Sequence, residues 1–232
     1  MRWSMVRHRY LLPVFTAVQA LFAVAIVYGL ALLLPEVDAA AARRLSSGAW
    51  TLGVIAVGCV LAPRVVTASK QEGLLEYQRT LPVPPSALLL ADMTVWGVAA
   101  LPGIAVGVAA SVTRFDLDLS PGPSLVGALV LVLVAATGIG YAIAYWLPPE
   151  AAGLATQVVM IGGLLFSPIT FSPDRLPAWA ATVHEYLPFA PMGNLVREKA
   201  FGGAVDVRDL VVVAVWGTAG VLAALGYLVR RR

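Results

Sequence analysis

The sequence predicts an all-α integral membrane protein with six transmembrane helices, and its composition is the first reason. Of its 232 residues, 59% are hydrophobic and only 12% are charged, and the mean hydropathy is +0.84. Soluble domains are about 45–50% apolar and about 25% charged. Polar side chains are therefore too few to cover this chain in water, and we expect it to lie in a bilayer.

The second reason is the spacing of the apolar runs. A transmembrane helix needs about 20 predominantly apolar residues, and polar or proline-rich stretches separate six apolar runs in this chain. Pro148 and Pro149, for example, end the fourth run, because two prolines cannot continue a helix. Residues 1–232 thus form a single domain with expected spans at 11–34, 50–68, 87–112, 125–146, 151–168 and 210–229.

The first ten residues predict a short helix in the membrane interface. Trp3, Val6 and Tyr10 share one helical face, between arginines. The apolar run that follows has about 24 residues, whereas the core of a signal peptide has about 7–15. We therefore expect a first span, with cleavage in the Ala-rich stretch after Asp38 as the alternative. Residues 35–48 are expected to form a polar connection to the second span.

The positions of the basic residues predict that both chain ends face the cytoplasm. Six spans put both ends on one side, and that side carries nine Lys and Arg residues against seven on the other. Basic residues orient a membrane protein most strongly where they directly adjoin spans. Clusters of this kind lie at both ends of the chain.

One loop on the same side is unusually polar. It extends from Lys70 to Pro85, between the second and third spans, and reads KQEGLLEYQRTLPVPP. In a chain this apolar, so many polar groups need water or a protein partner. We interpret the loop as the place where another protein acts on the membrane domain.

The region between the fifth and sixth spans, 168–209, contains two helix-like pieces at 176–187 and 192–201. Each would measure roughly 15–18 Å as a helix, too short to cross a bilayer core of about 30 Å. We expect re-entrant or interfacial half-helices that form a gate at the outer end of a pathway. A surface cap that only seals helix ends is the alternative.

Few residues offer chemistry of their own. Asp92 is the carboxylate best placed inside a predicted span, which marks it as a functional candidate, with hydrogen bonding to helix ends as the alternative. Because Cys59 is the single cysteine of the sequence, a disulfide framework and a cysteine zinc site are excluded. His184 with Glu185 is a poor metal site. No set of residues at one membrane depth favours covalent catalysis, and the basic residues lack the interleaved aromatics of nucleic-acid binding.

Two blocks of residues resemble the permease subunit of ABC type-2 transporters, the mostly bacterial exporters of drugs, lipids and polysaccharides. The first block, Glu72 to Val83, is similar to the family's E-x-G-T-L-E pattern after the second span, with Leu74 in place of the usual threonine. The second is similar to the family's Pro-rich stretch and contains FSP at 166–168, LPAW at 176–179, LPFAP at 187–191 and NLVR at 194–197. The resemblance covers nearly the whole chain.

The resemblance implies a pair of permeases, identical or homologous, in the bacterial cytoplasmic membrane. Two ABC ATPase subunits on the cytoplasmic side would drive them. This chain has no G-x-x-x-x-G-K-[ST] phosphate-binding loop. ATP and Mg²⁺ are therefore expected on the separate ATPase, with no cofactor, metal or enzyme activity on this chain. The family's coupling helix maps onto 70–81, where Leu74, Leu75 and Leu81 would anchor the partner.

The resemblance and the residues together give three sets of candidate site residues. The ATPase-coupling residues are Glu72, Gly73, Leu74, Leu75, Glu76 and Arg79. The outer-gate candidates are Pro168, Pro173, Leu176, Pro177, Trp179, Pro188, Pro191 and Arg197. The substrate-path candidates are Asp92, Thr156, Gln157 and Met160, although polar residues of the fifth span also commonly join helices.

The expected function is an export permease for a hydrophobic or amphiphilic substrate, such as a drug or a lipid-like molecule. Export of a polysaccharide or a lipid-linked glycan is the first alternative, although such a path would need more aromatic and polar lining. A membrane scaffold or sensor without transport is the second. An intramembrane enzyme would need several titratable residues within spans, and Asp92 is the one that the sequence offers.

Overall fold

The computed structural model describes residues 11–33, 38–80, 82–120, 122–165, 167–171 and 176–230, and in these ranges the chain forms helices and no strands. In chain order the helices are α1 Leu11–Leu33, α2 Ala39–Gln71, α3 Leu74–Thr80, α4 Pro85–Phe115, α5 Pro123–Trp146, α6 Pro149–Leu165, α7 Ala178–Tyr186, α8 Phe189–Ala200 and α9 Val207–Arg230. The all-α prediction is confirmed for these ranges. The predicted interfacial helix at residues 1–10 lies outside them.

Four of these helices, α2, α4, α5 and α9, are long and apolar enough to cross a membrane. Helix α1 has 23 residues and contains the shorter apolar stretch Thr16–Gly29. Helix α6 has 17 residues, about 26 Å of helix against a bilayer core of about 30 Å. The lengths and composition are those of a multi-pass membrane protein, and six complete crossings stay a prediction.

The start of α2 differs from the prediction. We expected a polar connection at 35–48, but α2 begins at Ala39. The side chain of Asp38 caps the helix, because its Oδ1 accepts a hydrogen bond from the Ala41 backbone N–H at 2.7 Å. The alanines that follow favour a helix, and the arginines at 43 and 44 lie within α2 beside the buried Leu45.

Helix α1 packs against α4 where Pro102 removes a backbone N–H group. In the preceding turn of α4, Gln19 Nε2 donates to the Ala100 carbonyl at 3.3 Å, and Thr16 Oγ1 donates to the Ala99 carbonyl at 3.5 Å. Helix α4 continues through the proline as one helix of 31 residues, and α1 is hydrogen-bonded to it at this level.

Glycines let α2, α5 and α9 approach closely in the middle of the molecule. A π-helical turn of α2, Val57–Leu61, packs on α5, and a Cβ on Gly58 would lie 2.7 Å from Ala136 Cβ. A Cβ on Gly220 of α9 would lie 2.6 Å from the backbone of Gly138 of α5. Small residues at helix contacts are typical of membrane proteins, and they make α5 the helix that both α2 and α9 contact.

The helix ends gather into two groups, each with its own buried core. We call the first group the loop end; its core includes Val66 of α2, Leu75 of α3, Leu89 of α4, Tyr145 of α5 and Leu228 of α9. We call the second group the cap end; its core includes Trp50 of α2, Val132 of α5, Met192 of α8 and Val213 of α9. The 70–85 loop therefore lies at one end and the 168–209 region at the other, as the predicted topology requires.

Candidate functional site

A sharp turn joins α2 to α3 at the loop end. Gly73 adopts φ +72°, the left-handed region in which glycine has no steric penalty. The backbone N–H groups of Glu76 and Tyr77 both donate to the Gly73 carbonyl, at 3.1 and 3.3 Å. The seven-residue helix α3 thus lies where the sequence predicts a coupling helix, and its coupling role stays a prediction.

One side of α3 is fixed to the bundle. Leu75, which we expected to anchor a partner, is 6% exposed and packs instead in the loop-end core. Leu74 is half-buried. The side chain of Arg79 and the residue Leu81 lie outside the part of the chain that the structure describes.

The other side of α3 and the turn before it are exposed. Glu72 and Glu76 both face solvent, as the prediction of a polar docking surface requires. Tyr77 beside them is 56% exposed, and the sequence analysis missed it. A tyrosine directly after Glu76 in this polar loop was a sequence signal that could have found it, since tyrosine is enriched at protein interfaces.

Lys70, in the last turn of α2, contacts both α5 and α9. Its Nζ donates to the Tyr145 carbonyl at 2.6 Å and to the Leu147 carbonyl at 3.0 Å, at the C-terminal end of α5. The same atom lies 5.0 Å from the centre of the Tyr227 ring of α9. These contacts had no sequence signal, because the bonded residues are 75 and 77 positions away in the chain.

A pocket of about 400 Å³ lies beside Lys70. Its wall combines aromatic rings with one cation and one carboxylate: Lys70, Leu75, Glu76, Tyr145, Trp146, Leu147, Pro148 and Tyr227. Helix α3 contributes Leu75 and Glu76, whereas the rings come from α5 and α9. The shared lining shows that α3 lies directly beside the ends of the long helices α5 and α9.

Two short helices form between the fifth and sixth predicted spans, close to the predicted bounds. Helix α7 has 9 residues and α8 has 12, and both are too short to cross a membrane. The gate candidates differ in burial: Pro168, Pro188 and Pro191 are buried, Leu176 and Arg197 are half-buried, and Pro177 and Trp179 are exposed. Pro173 lies outside the described residues.

Residues 167–171 run between α2 and α8 in tight contact with both. A Cβ on Gly48 of α2 would lie 2.7 Å from Thr170 Cγ2 and 2.9 Å from the Ile169 carbonyl oxygen. A Cβ on Gly193 of α8 would lie 3.1 Å from the Ile169 side chain. Protein atoms thus cover this irregular backbone, which is the condition for its presence at membrane depth.

A polar network joins α8 to the first turn of α9. Asn194 Nδ2 donates to Asp209 Oδ2 at 2.8 Å, and Arg197 Nη2 donates to Asn194 Oδ1. Asp209 is only 5% exposed, and a carboxylate is seldom this buried without a partner. The sequence analysis selected Arg197 and missed Asp209, because a carboxylate at the start of a helix usually indicates a solvated end.

Neighbouring carboxylates stabilise the positive charge on the guanidinium of Arg197. Burial lowers the pKa of Arg197, and Arg44 of α2 lowers it further, whereas Glu198 and Asp209 act in the opposite direction. Its Nη1 is buried without a hydrogen-bond partner among the described residues. Since an arginine stays charged in a protein, loss of Asp209 would leave Glu198 as the one carboxylate of this pair that compensates the charge.

Exposed contacts join α7 to α9. Arg208 Nη1 donates to Glu185 Oε2 at 2.7 Å, with both side chains almost half exposed. Trp216 Nε1 donates to the Tyr186 carbonyl at 2.9 Å. Helices α7 and α8 are therefore both attached to α9, the helix whose other end lies beside Lys70.

The substrate-path candidates lie on two helices. Asp92 is half-buried near the loop end of α4. On α6, Thr156 is 3% exposed and its Oγ1 donates to the Gly153 carbonyl at 3.0 Å, while Gln157 is exposed and Met160 is half-buried. None of the four lines the pocket beside Lys70, and their role stays a prediction.

Comparison with known proteins gives one finding. A family model described as ABC-2 type transporter matches residues 1–201, which include α1 to α8 and both blocks of the sequence resemblance. Searches of curated proteins and of solved structures returned no significant match.

Proposed function

Because the chain belongs to the ABC-2 type transporter family, we propose that it is the permease of an ATP-driven exporter for hydrophobic or amphiphilic cargo. Separate ABC ATPase chains, two per complex, bind ATP and Mg²⁺ and supply the energy. A second permease, identical or homologous, completes the pathway. The complex lies in the bacterial cytoplasmic membrane, with both ends of the chain in the cytoplasm.

The observation that carries the proposal is the two-sided character of α3. Buried Leu75 holds α3 to the loop-end core, while Glu72, Glu76 and Tyr77 are exposed. A surface that combines an aromatic residue with charged neighbours on a fixed support is typical of a protein docking site. The two carboxylates favour a basic surface on the ATPase.

The cap end supports the outer part of the proposal. Helices α7 and α8 are too short to span and are both attached to α9. A tilt of α9 would therefore move the cap. Release of cargo would follow from this rearrangement, in which packed elements shift between discrete arrangements.

The coupling claim is tested with Glu72→Ala combined with Glu76→Ala. We expect the amount of ATPase that co-purifies with the permease to fall by about tenfold, a loss of about 1.4 kcal/mol, because the change removes both carboxylates that face the basic surface proposed for the ATPase. Asp118→Ala, which removes an exposed carboxylate at the opposite end, is the control and should change nothing. Unchanged co-purification and transport in the double variant would refute the docking role of α3.

The cargo claim is tested on the purified permease–ATPase complex in lipid vesicles. We expect hydrophobic drugs or lipids to stimulate ATP hydrolysis and to be transported. If only lipid-linked glycans stimulate hydrolysis, the proposed cargo class is wrong, but the protein is still an exporter. A complex without any cargo-stimulated hydrolysis would favour a scaffold or sensor.

A further inference from the structure

The contacts of Lys70 place a cation where the backbone of α5 needs one. The last four carbonyl groups of an α-helix have no partner within the helix, and the C-terminal end of a helix carries partial negative charge. Lys70 Nζ donates to two carbonyls at this end, those of Tyr145 and Leu147. Charged donors form stronger hydrogen bonds than neutral ones, so α2 holds α5 firmly at this point.

The same cation also reaches α9. Lys70 Nζ lies over the face of Tyr227 at 5.0 Å, within the range of a cation–π contact. Tyr227 stacks on Tyr145 with 5.5 Å between ring centres and meets the edge of Trp146 at 5.8 Å. Trp146 Nε1 in turn donates to the Ala223 carbonyl of α9 at 2.9 Å. The loop ends of α5 and α9 are thus joined, and Lys70 connects them to α2.

The position of Lys70 in the chain links this junction to α3. Gly73, three residues later, is the turn from which α3 starts. Leu75 and Glu76 of α3 share the pocket of about 400 Å³ with Lys70 and the aromatic rings. The pocket therefore adjoins both α3 and the contacts that Lys70 makes with α5 and α9.

We propose that Lys70 is the positioning residue through which movement of α3 reaches α5 and α9, an inference that rests on the proposed function. Displacement of α3 pulls the last turn of α2, and the ammonium group carries this displacement to the Tyr145 and Leu147 carbonyls and to the Tyr227 ring. Helix α9 has 24 residues, about 36 Å, and its far end carries Asp209, which is bonded to the cap. Lys70 thereby connects the docking surface to the cap through one rigid helix.

The test compares three variants in the permease–ATPase complex. Lys70→Met keeps an unbranched side chain of similar length and removes its charge and its donors. Lys70→Arg keeps the charge with a different donor geometry. Arg64→Met is the matched control, because Arg64 lies on the same helix with an exposed side chain. The measurements are the amount of co-purified ATPase, the rate of ATP hydrolysis and the cargo moved per ATP hydrolysed.

We expect Lys70→Met to assemble with the ATPase and to hydrolyse ATP, while cargo moved per ATP falls by about tenfold or more. Lys70→Arg should retain an intermediate ratio, and Arg64→Met should match the unmodified protein. An unchanged ratio in Lys70→Met would overturn the inference and leave the exporter intact. If the unmodified complex moves no cargo, the proposed function itself has failed.

A second variant keeps the inference testable if Lys70→Met is poorly folded. Tyr227→Leu removes the ring beneath the ammonium group from the α9 side. On its own, Tyr227→Leu should lower the cargo moved per ATP while assembly with the ATPase and ATP hydrolysis are retained. Where Lys70→Met does fold, the double variant should lose no more transport per ATP than the worse single variant, because both residues act through one connection. Independent, additive losses, or losses that only follow the amount of folded complex, would show that Lys70 merely stabilises the fold.

Discussion

The loop end and the cap end hold their helices together by different chemistry. At the loop end, α5 and α9 meet through the rings of Tyr145, Trp146 and Tyr227, with Lys70 beside them. At the cap end, α8 and α9 meet through the partly buried network of Arg197, Asn194 and Asp209.

This difference bears on how each end can move. The attraction between apolar ring surfaces is the sum of many weak atom–atom contacts. Such an interface therefore tolerates small shifts. A buried polar network is stable when all its members are paired and costly when one is not. The comparison therefore indicates that the ring contacts of the loop end adjust gradually, whereas the cap end holds one arrangement until its network breaks.

The largest effect on stability is expected for Asp209→Ala at the cap end. The change leaves Asn194 Nδ2 without its acceptor and removes one of the two carboxylates near Arg197, and an unsatisfied buried polar group beside a charge costs about 3 kcal/mol. Denaturant titration in detergent micelles would measure the free energy of unfolding. Asp118→Ala, at an exposed carboxylate, should change it by less than about 0.5 kcal/mol. Equal effects of the two changes would contradict the role given to the network.

The next largest effect is expected for Gly48→Ala, also at the cap end. Its Cβ would lie 2.9 Å from the Ile169 carbonyl oxygen, and backbone cannot move aside as a flexible side chain can. We expect a loss of about 1–3 kcal/mol from overpacking. Gly127→Ala near the start of α5 is the control, because nothing lies within 4 Å of its added Cβ. The control should gain about 0.5–1 kcal/mol from the higher helix propensity of alanine.

At the loop end a glycine substitution acts through conformation alone. A Cβ on Gly73 would meet nothing within 4 Å, but the residue has φ +72°, which costs an ordinary L-residue about 1–2 kcal/mol. Gly73→Ala should therefore reduce stability by about 1 kcal/mol and weaken ATPase binding, since α3 starts at this turn. Gly73→Asn should recover part of both losses, because asparagine tolerates this conformation. A co-purification assay beside the denaturant titration separates the two effects.

Much of the fold could be predicted because local signals agree with the tertiary structure. Apolar runs and prolines gave α4, α5 and α9 to within a few residues of their observed bounds. The predicted start of α2 was wrong. Arg43 and Arg44 made this stretch look like a polar connection, although they belong to a helix that Asp38 caps.

The candidate site was harder to predict because its contacts connect distant parts of the chain. The resemblance selected Glu72, Glu76 and Arg197 from local motifs. The interactions of Lys70 with Tyr145 and of Asn194 with Asp209 depend on helix packing, and no local pattern encodes them. Leu75 is the opposite case: its local motif predicted a contact with a partner protein, but the leucine packs into the chain's own core.

The smallest effect is expected for Arg208→Ala, at the exposed ion pair between α7 and α9 of the cap end. Arg208 pairs with Glu185 at 2.7 Å, but both side chains are almost half exposed, and exposed ion pairs contribute about 0–1 kcal/mol. The loss in unfolding free energy should be below about 1 kcal/mol and should shrink further at high salt, because salt screens exposed charges. A loss as large as that of Asp209→Ala would mean that the outer pair, and not the buried network, holds the cap to α9. The cap would then loosen gradually as ionic strength rises, and the contrast between gradual adjustment at the loop end and a single arrangement at the cap end would disappear.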